Sequence, residues 1–368
     1  MDGAEKTADA ILDRRFRLAG ADSPALSRLR ALARASLLKE LERGLAERAV
    51  PGQDEEGVPS RPGSPESPGS PESPDPPAQP DPPPADAPLE PDLSRLMALA
   101  PPPLPDVFWE ARRVLDDPQS GALEIAAVIS KDPGLTASLL RLANSGFYGF
   151  RARVDAVSRA VTLIGIREIH TLFLGFSVLR LYRDMPGGAH FDMERFRAHS
   201  LACAVLSGLV AAQAGRIDLE RCFVAGLLHD MGRLLLWSAE PGLAAMAARE
   251  AAVRGEPLAL AENRLLRFDH AALAGEAARS WRFPAPLVAA VSRHHEPELH
   301  DEPDLPGVVH LADLIARALG WAFETQPVLS PLSRRAWDDL ELNPDDLDEI
   351  VDAFEVQFPD YLSALSES

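Results

Sequence analysis

The sequence predicts an all-α protein, and three observations favour this fold class. Apolar residues recur at three- and four-residue spacing through most of the chain after residue 92, which is the period of an amphipathic helix. Alternating β-branched runs and Asn-Gly hairpin signals do not occur there. Fourteen of the 34 prolines fall within residues 51–90, where they do not interrupt the helical segments. We therefore expect a multi-helix bundle with a separate proline-rich segment.

The first 50 residues predict an N-terminal amphipathic helical module (1–50). Ser23 is a suitable N-cap, and Pro24 suits the first position of the helix that follows. One apolar stripe runs along this helix, formed by Leu26, Leu29, Ala33, Leu37, Leu41 and Leu45. The stripe is too narrow for an independent domain. It could pack on the main domain, on a second copy of the chain or on a partner, and the sequence leaves all three open.

Residues 51–91 predict a disordered, acidic, proline-rich linker. Repeats such as "PGSPESPGSPESPDPP" lack the apolar side chains that a folded core needs. Proline favours an extended polyproline-II backbone, so the segment suits a spacer. The alternative is that its proline runs serve as a docking motif for a partner.

Helix-period patterns then continue almost to the end of the chain. We expect one main helical domain at 92–320 and an acidic C-terminal helical extension at 321–368. Within the extension, Asn343 and Pro344 are a suitable cap and first-turn pair for the last helix.

Charge and targeting signals restrict the class of protein. The formal charge of −19 and the pI near 4.9 disfavour direct nucleic-acid binding and docking to an anionic membrane, since both need a basic surface. The start of the chain carries acidic residues where a signal peptide has a basic region, so we expect a cytoplasmic protein. Cys203 and Cys222 lie in apolar helical segments and are interpreted as small buried hydrophobic residues of a reducing compartment.

Polar side chains within the most apolar helices are the candidates for chemistry. His229 and Asp230 are adjacent in "FVAGLLHDMGRLLLW", and burying such a pair is costly unless both groups find partners. On one helix, adjacent side chains point about 100° apart, so the two converge only on an object inside the bundle. Other helical segments supply further histidines and an aspartate. The full candidate set is His199, His229, Asp230, His270, His294, His295 and Asp313.

These residue types predict a divalent metal site. Imidazole nitrogen and carboxylate oxygen without thiolate suit Fe, Mn, Mg or Zn inside a helical bundle. Seven ligands are enough for one ion or for two ions that share a bridging group, and two close ions can promote an in-line phosphoryl displacement. Arg233 is a candidate phosphate-binding side chain. The alternative is a metal-free core in which His229 donates to a carbonyl group and Asp230 pairs with Arg233 at three-residue spacing.

Several segments resemble the HDOD domain, the HD-related output domain of bacterial signalling proteins. The most specific signature is "LLRLANSGFYG" together with "AVTLIGIREI", and the segments "RAHSLACAVLSGLVA", "FVAGLLHDMGRLLLW" and "VVHLADLIARALG" are similar to its continuation. The resemblance covers about residues 97–320. It implies an HD-like all-α bundle, related to the HD and HD-GYP metal-dependent phosphohydrolases, and a role in signal transduction and regulation. Asn144 and Ser145 belong to the signature and are interpreted as a structural helix stop, with Gly146 as a left-handed cap.

The resemblance also implies roles for the candidate residues. The positions of the H…HD…D ligands of the HD superfamily are occupied by His199, His229, Asp230 and Asp313. The additional histidines of the HD-GYP branch are matched by His270, His294 and His295. The chain departs from the catalytic pattern in two places. The GYP segment is absent after the paired histidines, and Arg233 stands where catalytic relatives often have a lysine.

These observations favour a regulatory protein over an enzyme. The main domain would act as an output module that binds a protein partner or a small signalling ligand and retains a metal site. The alternative is a metal-dependent phosphodiesterase acting on a nucleotide or cyclic dinucleotide, for which Arg197, Arg233 and Arg293 would offset the acidic surface. A third alternative is a scaffold with a hydrogen-bonded histidine core. The sequence leaves a homo-oligomer open.

Overall fold

A computed structural model of the chain describes residues 2–19, 23–49, 106–117, 119–184, 191–215, 217–299, 304–324 and 327–366. The regular elements in these ranges are helices, which confirms the predicted all-α class. The predicted linker, 51–91, lies outside the described residues.

The helices form four groups along the chain. The N-terminal module contains α1 (Asp2–Arg15) and α2 (Pro24–Ala49). The main domain begins with α3 (Asp106–Leu115), α4 (Ala122–Ile129), α5 (Pro133–Ala143), α6 (Val157–Ile164) and α7 (Ile166–Asp184). The helices around the candidate residues are α8 (Met193–Ala214), α9 (Leu219–Leu228), α10 (Met231–Ala239), α11 (Pro241–Arg254), α12 (Leu258–Leu266), α13 (His270–Ser280), α14 (Ala285–Arg293) and α15 (Asp304–Ala318), with a 3₁₀-helix at Pro297–Leu299. The C-terminal extension contains α16 (Arg334–Asp339) and α17 (Asp346–Ser366).

Helix α8 lies at the centre of the main domain. Asp192 caps its N-terminus by accepting the backbone N–H groups of Glu194 and Arg195, and Gly215 ends it in the left-handed conformation at φ 73°. Between these ends most side chains are buried, because α9, α15 and α17 pack around the helix. A helix with so many buried side chains needs such surroundings to be stable.

Two glycines allow close approach of the helices around the candidate residues. A Cβ at Gly226 on α9 would overlap the carbonyl oxygen of Cys203 and Oγ of Ser207 on α8. A Cβ at Gly232 on α10 would overlap the carbonyl oxygen of His270 on α13. These contacts place the junction of α9 and α10 against α8 on one side and against α13 on the other.

The N-terminal module folds as a hairpin of α1 and α2 that packs on α15 and α17. The predicted apolar stripe is buried at Leu26, Leu29 and Ala33. Arg28 pairs with Asp348 of α17 at the edge of this contact. Of the three possibilities that the sequence leaves open, the described residues therefore show packing on the chain's own helices.

Arg15 connects the hairpin to the end of α15. Its side chain donates to the carbonyl oxygen of Ala318, and its own carbonyl oxygen accepts the N–H of Leu329 at 2.9 Å. The hairpin thus contacts both ends of the segment 319–328, which follows α15.

The end of α5 agrees with the sequence prediction in one respect and differs in another. Asn144 caps the helix, and its side chain bonds to the backbone of Leu140 and Val154, so its role is structural as predicted. The prediction that Gly146 is left-handed is wrong, and Gly149 has the positive φ of 58° in this loop. The Asn144 side chain already ties the loop to Val154, so the chain needs no left-handed residue directly after the helix.

The last helix begins later than the sequence predicts. Helix α17 starts at Asp346, and the Asp346 carboxylate accepts the N–H of Asn343 at 2.7 Å. Asn343 and Pro344 therefore belong to the turn that precedes the helix.

None of the described helices has, by itself, the length and hydropathy of a membrane-spanning segment. Helices α6 and α7 meet that test only as a pair, with a bend of 120° between them.

Candidate metal centre

All seven candidate residues come together in one buried cluster. Their ligand atoms form overlapping groups in which every atom lies within 4.8 Å of the others of its group. The groups are His229, Asp230 and His294; His270, His294 and His295; and His199, Cys203, His229 and Asp313. We call the seven candidate residues the histidine–aspartate cluster. That this cluster binds a metal ion stays a prediction.

The pair His229 and Asp230 lies at a break between two helices, whereas the sequence suggested one continuous helix. Helix α9 ends at Leu228 and α10 begins at Met231. Asp230 has φ −91° and ψ 8°, which are not helical values. Because of this turn, both side chains reach the cluster although they are adjacent in the chain.

Helix ends and helix centres supply the other five residues. Three histidines lie at helix ends, with His270 as the first residue of α13 and His294 and His295 directly after α14. His199 and Asp313 lie in the middle of α8 and α15. The Nε2 atom of His199 is 3.3 Å from an oxygen of Asp230 and 3.3 Å from an oxygen of Asp313, so it connects the two carboxylates.

Three of the imidazole rings are oriented by backbone carbonyl groups. Their Nδ1 atoms bond to carbonyl oxygens, His199 to Trp321 at 2.7 Å, His229 to Gly226 at 2.8 Å and His294 to Val291 at 3.0 Å. A carbonyl oxygen only accepts, so Nδ1 carries a proton in each ring and Nε2 is directed into the cluster. This is the usual way in which proteins orient a histidine that binds a metal through Nε2.

Glu262 orients the fourth ring, His270. Its Oε2 lies 2.5 Å from Nδ1 of His270 and also accepts the backbone N–H of His270 at 2.9 Å. The Glu262 side chain is buried, and a carboxylate behind a histidine is a frequent companion of metal ligands. The sequence analysis missed Glu262 because nothing in the pattern of α12 distinguishes it from a solvated helix residue.

Three atoms of the cluster have no hydrogen-bond partner within the described part of the chain. They are Nε2 of His229, Oδ1 of Asp230 and Nε2 of His294. All three residues are buried, and the atoms lie within 4.8 Å of one another. Of the three, Oδ1 of Asp230 still has an ion-pair contact, 3.1 Å from Nε2 of His270. Buried polar atoms without a hydrogen bond are costly, and a shared cation would satisfy all three at once. These residues therefore fit a divalent metal ion, which would act as a Lewis acid and lower the pKa of a bound water.

The opposite side of the cluster contains two buried arginines. Arg233 NH1 lies 2.8 Å from Asp230 Oδ2, and Arg317 Nε lies 2.7 Å and 2.8 Å from the two oxygens of Asp313. Both arginines also bond to Glu324, Arg233 through NH2 and Arg317 through NH1. With these three partners included, the site has two halves. We call Asp230, Asp313, Arg233, Arg317 and Glu324 the arginine half of the cluster. We call His229, His270, His294 and His295 the histidine half.

The pairing of Arg233 bears on its predicted role. The alternative in which Arg233 pairs with Asp230 is present, and the guanidinium also lies 4.9 Å from the ring centre of Phe323. Its side chain is 1% exposed. Phosphate binding by Arg233 therefore stays a prediction that the contacts among the described residues do not support.

The arginines keep the neighbouring carboxylates ionised. Burial alone would raise the pKa of Asp230 and of Asp313, but Arg233 and Arg317 outweigh it and hold both pKa values well below the usual range. In the same way, burial opposes but the two arginines lower the pKa of Glu324 to about 2. The three carboxylates therefore exceed the two guanidinium groups by one negative charge at neutral pH.

The histidine half contains rings with opposite pKa shifts. Burial, together with the neighbouring rings, lowers the pKa of His294 and His295 well below the usual value, so both rings are neutral. Burial would also lower the pKa of His270, but Glu262 and Asp230 raise it to about 10. The Nε2 atoms of His270 and His295 are 2.8 Å apart. A proton on His270 can therefore be shared with His295.

His310 lies outside the cluster and supports it. Its Nδ1 bonds to the carbonyl oxygen of His294 at 2.8 Å, and its Nε2 accepts the N–H of Ser333 at 3.1 Å. Burial lowers the pKa of His310, which keeps Nε2 available as an acceptor. His310 therefore holds the turn that contains the paired histidines.

The cluster is largely buried, and His295 is its half-buried member. The exposed fraction of the side chain is 0% for His199, His229 and Asp230 and 8% for Asp313. Glu324, with 26%, is the most exposed member of the arginine half. A nucleotide substrate needs an open cleft, which side chains as buried as these first four do not suit.

Comparisons with known proteins agree with this fold. The HDOD domain family model matches residues 102–297, which is more than half of the chain. A curated protein from Treponema pallidum (strain Nichols), described as uncharacterized, is 26% identical over 197 residues. These residues are 53% of this chain and 37% of that protein, so the chain spans little more than a third of the length of this relative.

Solved structures show the same architecture. A "Putative phosphohydrolase" from Shewanella amazonensis SB2B is 25% identical, with a TM-score of 0.58 over 74% of this chain and 97% of that one. An HDOD domain protein of unknown function from Geobacter sulfurreducens is 21% identical, with a TM-score of 0.60 over 75% of this chain and 96% of that one. Because the family match extends over more than half of the sequence and these structures share its helical fold, this chain belongs to the HDOD domain family.

Proposed function

We propose that this chain is a cytoplasmic regulatory protein of bacterial signal transduction. Its HDOD domain acts as an output module that binds a protein partner or a small signalling ligand. The histidine–aspartate cluster holds a divalent metal that stabilises the module and does not turn over a substrate.

The observation that carries this proposal is the arginine half of the largely buried cluster. Arg233 and Arg317 bond to Asp230 and Asp313, which are two of the predicted ligands. A catalytic metal needs an open coordination position and a route for substrate. Carboxylates already paired with guanidinium groups, inside a largely buried site, suit a structural ion better.

The histidine half supports the alternative, a metal-dependent phosphodiesterase acting on a nucleotide or cyclic dinucleotide. The Nε2 atoms of His229 and His294 are free to bind an ion, and one similar structure bears the name of a phosphohydrolase. In this alternative the arginine pairs must open when substrate binds, so that Arg233 becomes available to a phosphate oxygen.

Metal analysis and a hydrolysis assay decide between these functions. We expect the purified full chain to contain about one transition-metal ion, or two, per molecule. We expect the metal-loaded protein to leave cyclic dinucleotides and a generic phosphodiester intact. Turnover that disappears in Asp230→Ala would establish the phosphodiesterase instead, whereas turnover that persists in Asp230→Ala would come from a contaminant.

An absence of bound metal after incubation with Zn²⁺, Mn²⁺ or Fe²⁺ would contradict the metal part of the proposal. The cluster would then be a hydrogen-bonded core, which is the scaffold alternative. Glu124→Gln is a suitable control, because Glu124 caps α4 by bonding to Gly121 and is not part of the histidine–aspartate cluster.

A further inference from the structure

Cys203 lies inside the cluster although the sequence analysis interpreted it as a small hydrophobic residue. It follows His199 by one turn on α8 and is completely buried. Its Sγ is 3.8 Å from the ring nitrogens of His199 and 4.0 Å from Oδ1 of Asp313. Residues four apart on a helix share one face, so a histidine and a cysteine at this spacing can bind the same ion.

A second observation points to a ligand at the same place. Sγ of Cys203 belongs to a group with His199, His229 and Asp313 in which all four ligand atoms lie within 4.8 Å of one another. The Nε2 atom of His229 is completely buried in this group and finds no hydrogen-bond partner in the described ranges. The thiol therefore stands beside an acceptor that lacks a donor.

We propose that Cys203 is a metal ligand, and that its thiolate binds the divalent ion of the cluster together with His199, His229 and Asp313. This inference rests on the proposed function insofar as the cluster must bind a metal. The Cys203 Sγ–H proton passes to solvent when the sulfur–metal bond forms. The mixed nitrogen, sulfur and oxygen donor set favours Zn²⁺, and it disfavours Mg²⁺ and Mn²⁺, which prefer oxygen ligands.

The charges of the arginine half explain why a thiolate is useful here. The carboxylates of Asp230 and Asp313 already share their charge with Arg233 and Arg317. A divalent ion in this position therefore meets less free negative charge than two unpaired aspartates would offer. The thiolate of Cys203 adds one negative charge on the side of Asp313, where the ion needs it.

Cys222 is the matched control, since Cys203 and Cys222 are the two cysteines of the chain. Both are completely buried in neighbouring helices. The groups of metal-ligating side chains in the described ranges include Cys203 and do not include Cys222. A difference between the two serine variants therefore reports on the cluster and not on loss of a buried thiol in general.

Substitution with Co²⁺ tests the inference by absorption spectroscopy, with no need for enzymatic activity. We expect visible d–d bands and a near-ultraviolet sulfur-to-cobalt charge-transfer band in the wild-type full chain. Cys203→Ser should lose the charge-transfer band and keep the d–d bands, and Cys222→Ser should keep both. Zn²⁺ affinity should fall by at least about tenfold in Cys203→Ser. Loss of a group that only supports a ligand already weakens metal binding by about tenfold or more, and loss of a ligand should cost at least as much.

X-ray absorption of the zinc-loaded wild-type chain gives an independent readout that requires no variant. A sulfur shell at about 2.3 Å, in addition to nitrogen and oxygen at about 2.0–2.1 Å, supports the inference. Cobalt d–d bands without a charge-transfer band, or a zinc site without sulfur, overturn the role of Cys203 and leave the proposed metal site standing. No cobalt or zinc binding at all overturns both.

Discussion

The two halves of the cluster differ in how their ionisable groups are partnered. In the histidine half, the rings of His229, His270 and His294 are fixed through Nδ1, and Nε2 of His229 and of His294 has no hydrogen-bond partner in the described ranges. In the arginine half, both oxygens of Asp313 are bonded to Arg317, and Asp230 Oδ2 is bonded to Arg233. The histidine half thus presents two buried ring nitrogens without a hydrogen bond, whereas the carboxylates of the arginine half are paired with two guanidinium groups.

Asp230 belongs to both arrangements and shows what the difference means. Its Oδ2 accepts from Arg233, while its Oδ1 faces the histidine half and lies 3.1 Å from Nε2 of His270. The arginine half therefore stabilises the fold without a metal, and the histidine half provides a place for an ion. Under the proposed function, such a protein folds first and binds the metal afterwards.

The largest effect is expected from breaking the arginine half. Arg317→Ala leaves Asp313 buried beside Glu324 with one guanidinium fewer, and removal of one partner of a buried ion pair costs about 3–5 kcal/mol in the free energy of unfolding. Urea denaturation of the metal-free protein measures it. Arg254→Ala removes an exposed pair with Glu250 and should cost at most about 1 kcal/mol. Equal losses in the two variants would contradict the structural role of the arginine half.

The histidine half should control the response to metal. In the wild type, free Zn²⁺ at 100 times its dissociation constant should raise the free energy of unfolding by about 2.7 kcal/mol. His229→Ala should lose most of this increase, because its Nε2 is one of the unpartnered ligand atoms. His170→Ala, at a ring that faces Asp116 on another side of the domain, should keep it. Thermal unfolding with and without metal measures the difference, and a full response in His229→Ala would remove this histidine from the site.

Gly232 tests whether the two halves must be held together. Gly232→Ala would press a methyl group on the carbonyl of His270 and force α10 and α13 apart, and such overpacking costs about 1–3 kcal/mol. The variant should also bind metal more weakly, since His270 moves away from Asp230. Gly242→Ala, where the added methyl group meets open space, should be neutral or stabilising by up to about 1 kcal/mol. Denaturant unfolding of both variants compares them, and an unaffected Gly232→Ala would show that the helices can separate freely.

Titration produces the most gradual effects, no more than about 1.4 kcal/mol per pH unit for one group. The pKa of Glu324 falls from 4.5 to about 2 on folding, so its contribution to stability is present above pH 4.5 and is lost as the pH falls towards 2. The pKa of His270 rises from 6.5 to about 10, so its contribution is present below pH 6.5 and is lost as the pH rises towards 10. The arginine half should thus lose its contribution to stability as the pH falls, and the histidine half as the pH rises.

Unfolding of the chelator-treated protein across this pH range measures both effects. We call the loss of stability at low pH the acid arm and the loss at high pH the alkaline arm. Glu324→Gln should make the acid arm shallower and leave the alkaline arm, and the lowered pKa values of Asp230 and Asp313 maintain the rest of the acid arm. His270→Gln should make the alkaline arm shallower and leave the acid arm, and the raised pKa of His199 maintains the rest of the alkaline arm. A single variant that flattens both arms would mean that the halves titrate as one unit.

The sequence was sufficient for the histidine half and for the helical fold. His229, His270 and His294 stand out because a polar ring in an apolar segment needs a partner. It was insufficient for the arginine half, where Glu324 reaches Arg233 from 91 residues away. Arg317 could have been found, since it follows Asp313 by four residues on a helix.

Cys203 is buried and free, as the sequence predicts, but its place beside His199 and Asp313 was not predicted. A cysteine in an apolar helix is usually a small core residue, and its apolar neighbours gave no reason to think otherwise. Its distance of one turn from His199 was visible in the sequence. The decisive fact, the approach of α9 through Gly226, depends on tertiary packing and could not be predicted locally.

The docking of the N-terminal hairpin has a consequence for how a partner could act on the cluster. Since α2 and α3 both belong to the same folded body, the 56 residues between them, 50–105, close a loop. The hairpin therefore binds its site within the same chain, which favours it over a separate molecule. A partner that binds the hairpin must displace it from this site. Binding would also break the hydrogen bond from Arg15 to Ala318, at the end of the helix that carries Asp313 and Arg317. Cleavage of the loop would remove this advantage, because the hairpin would then bind its site as a separate molecule.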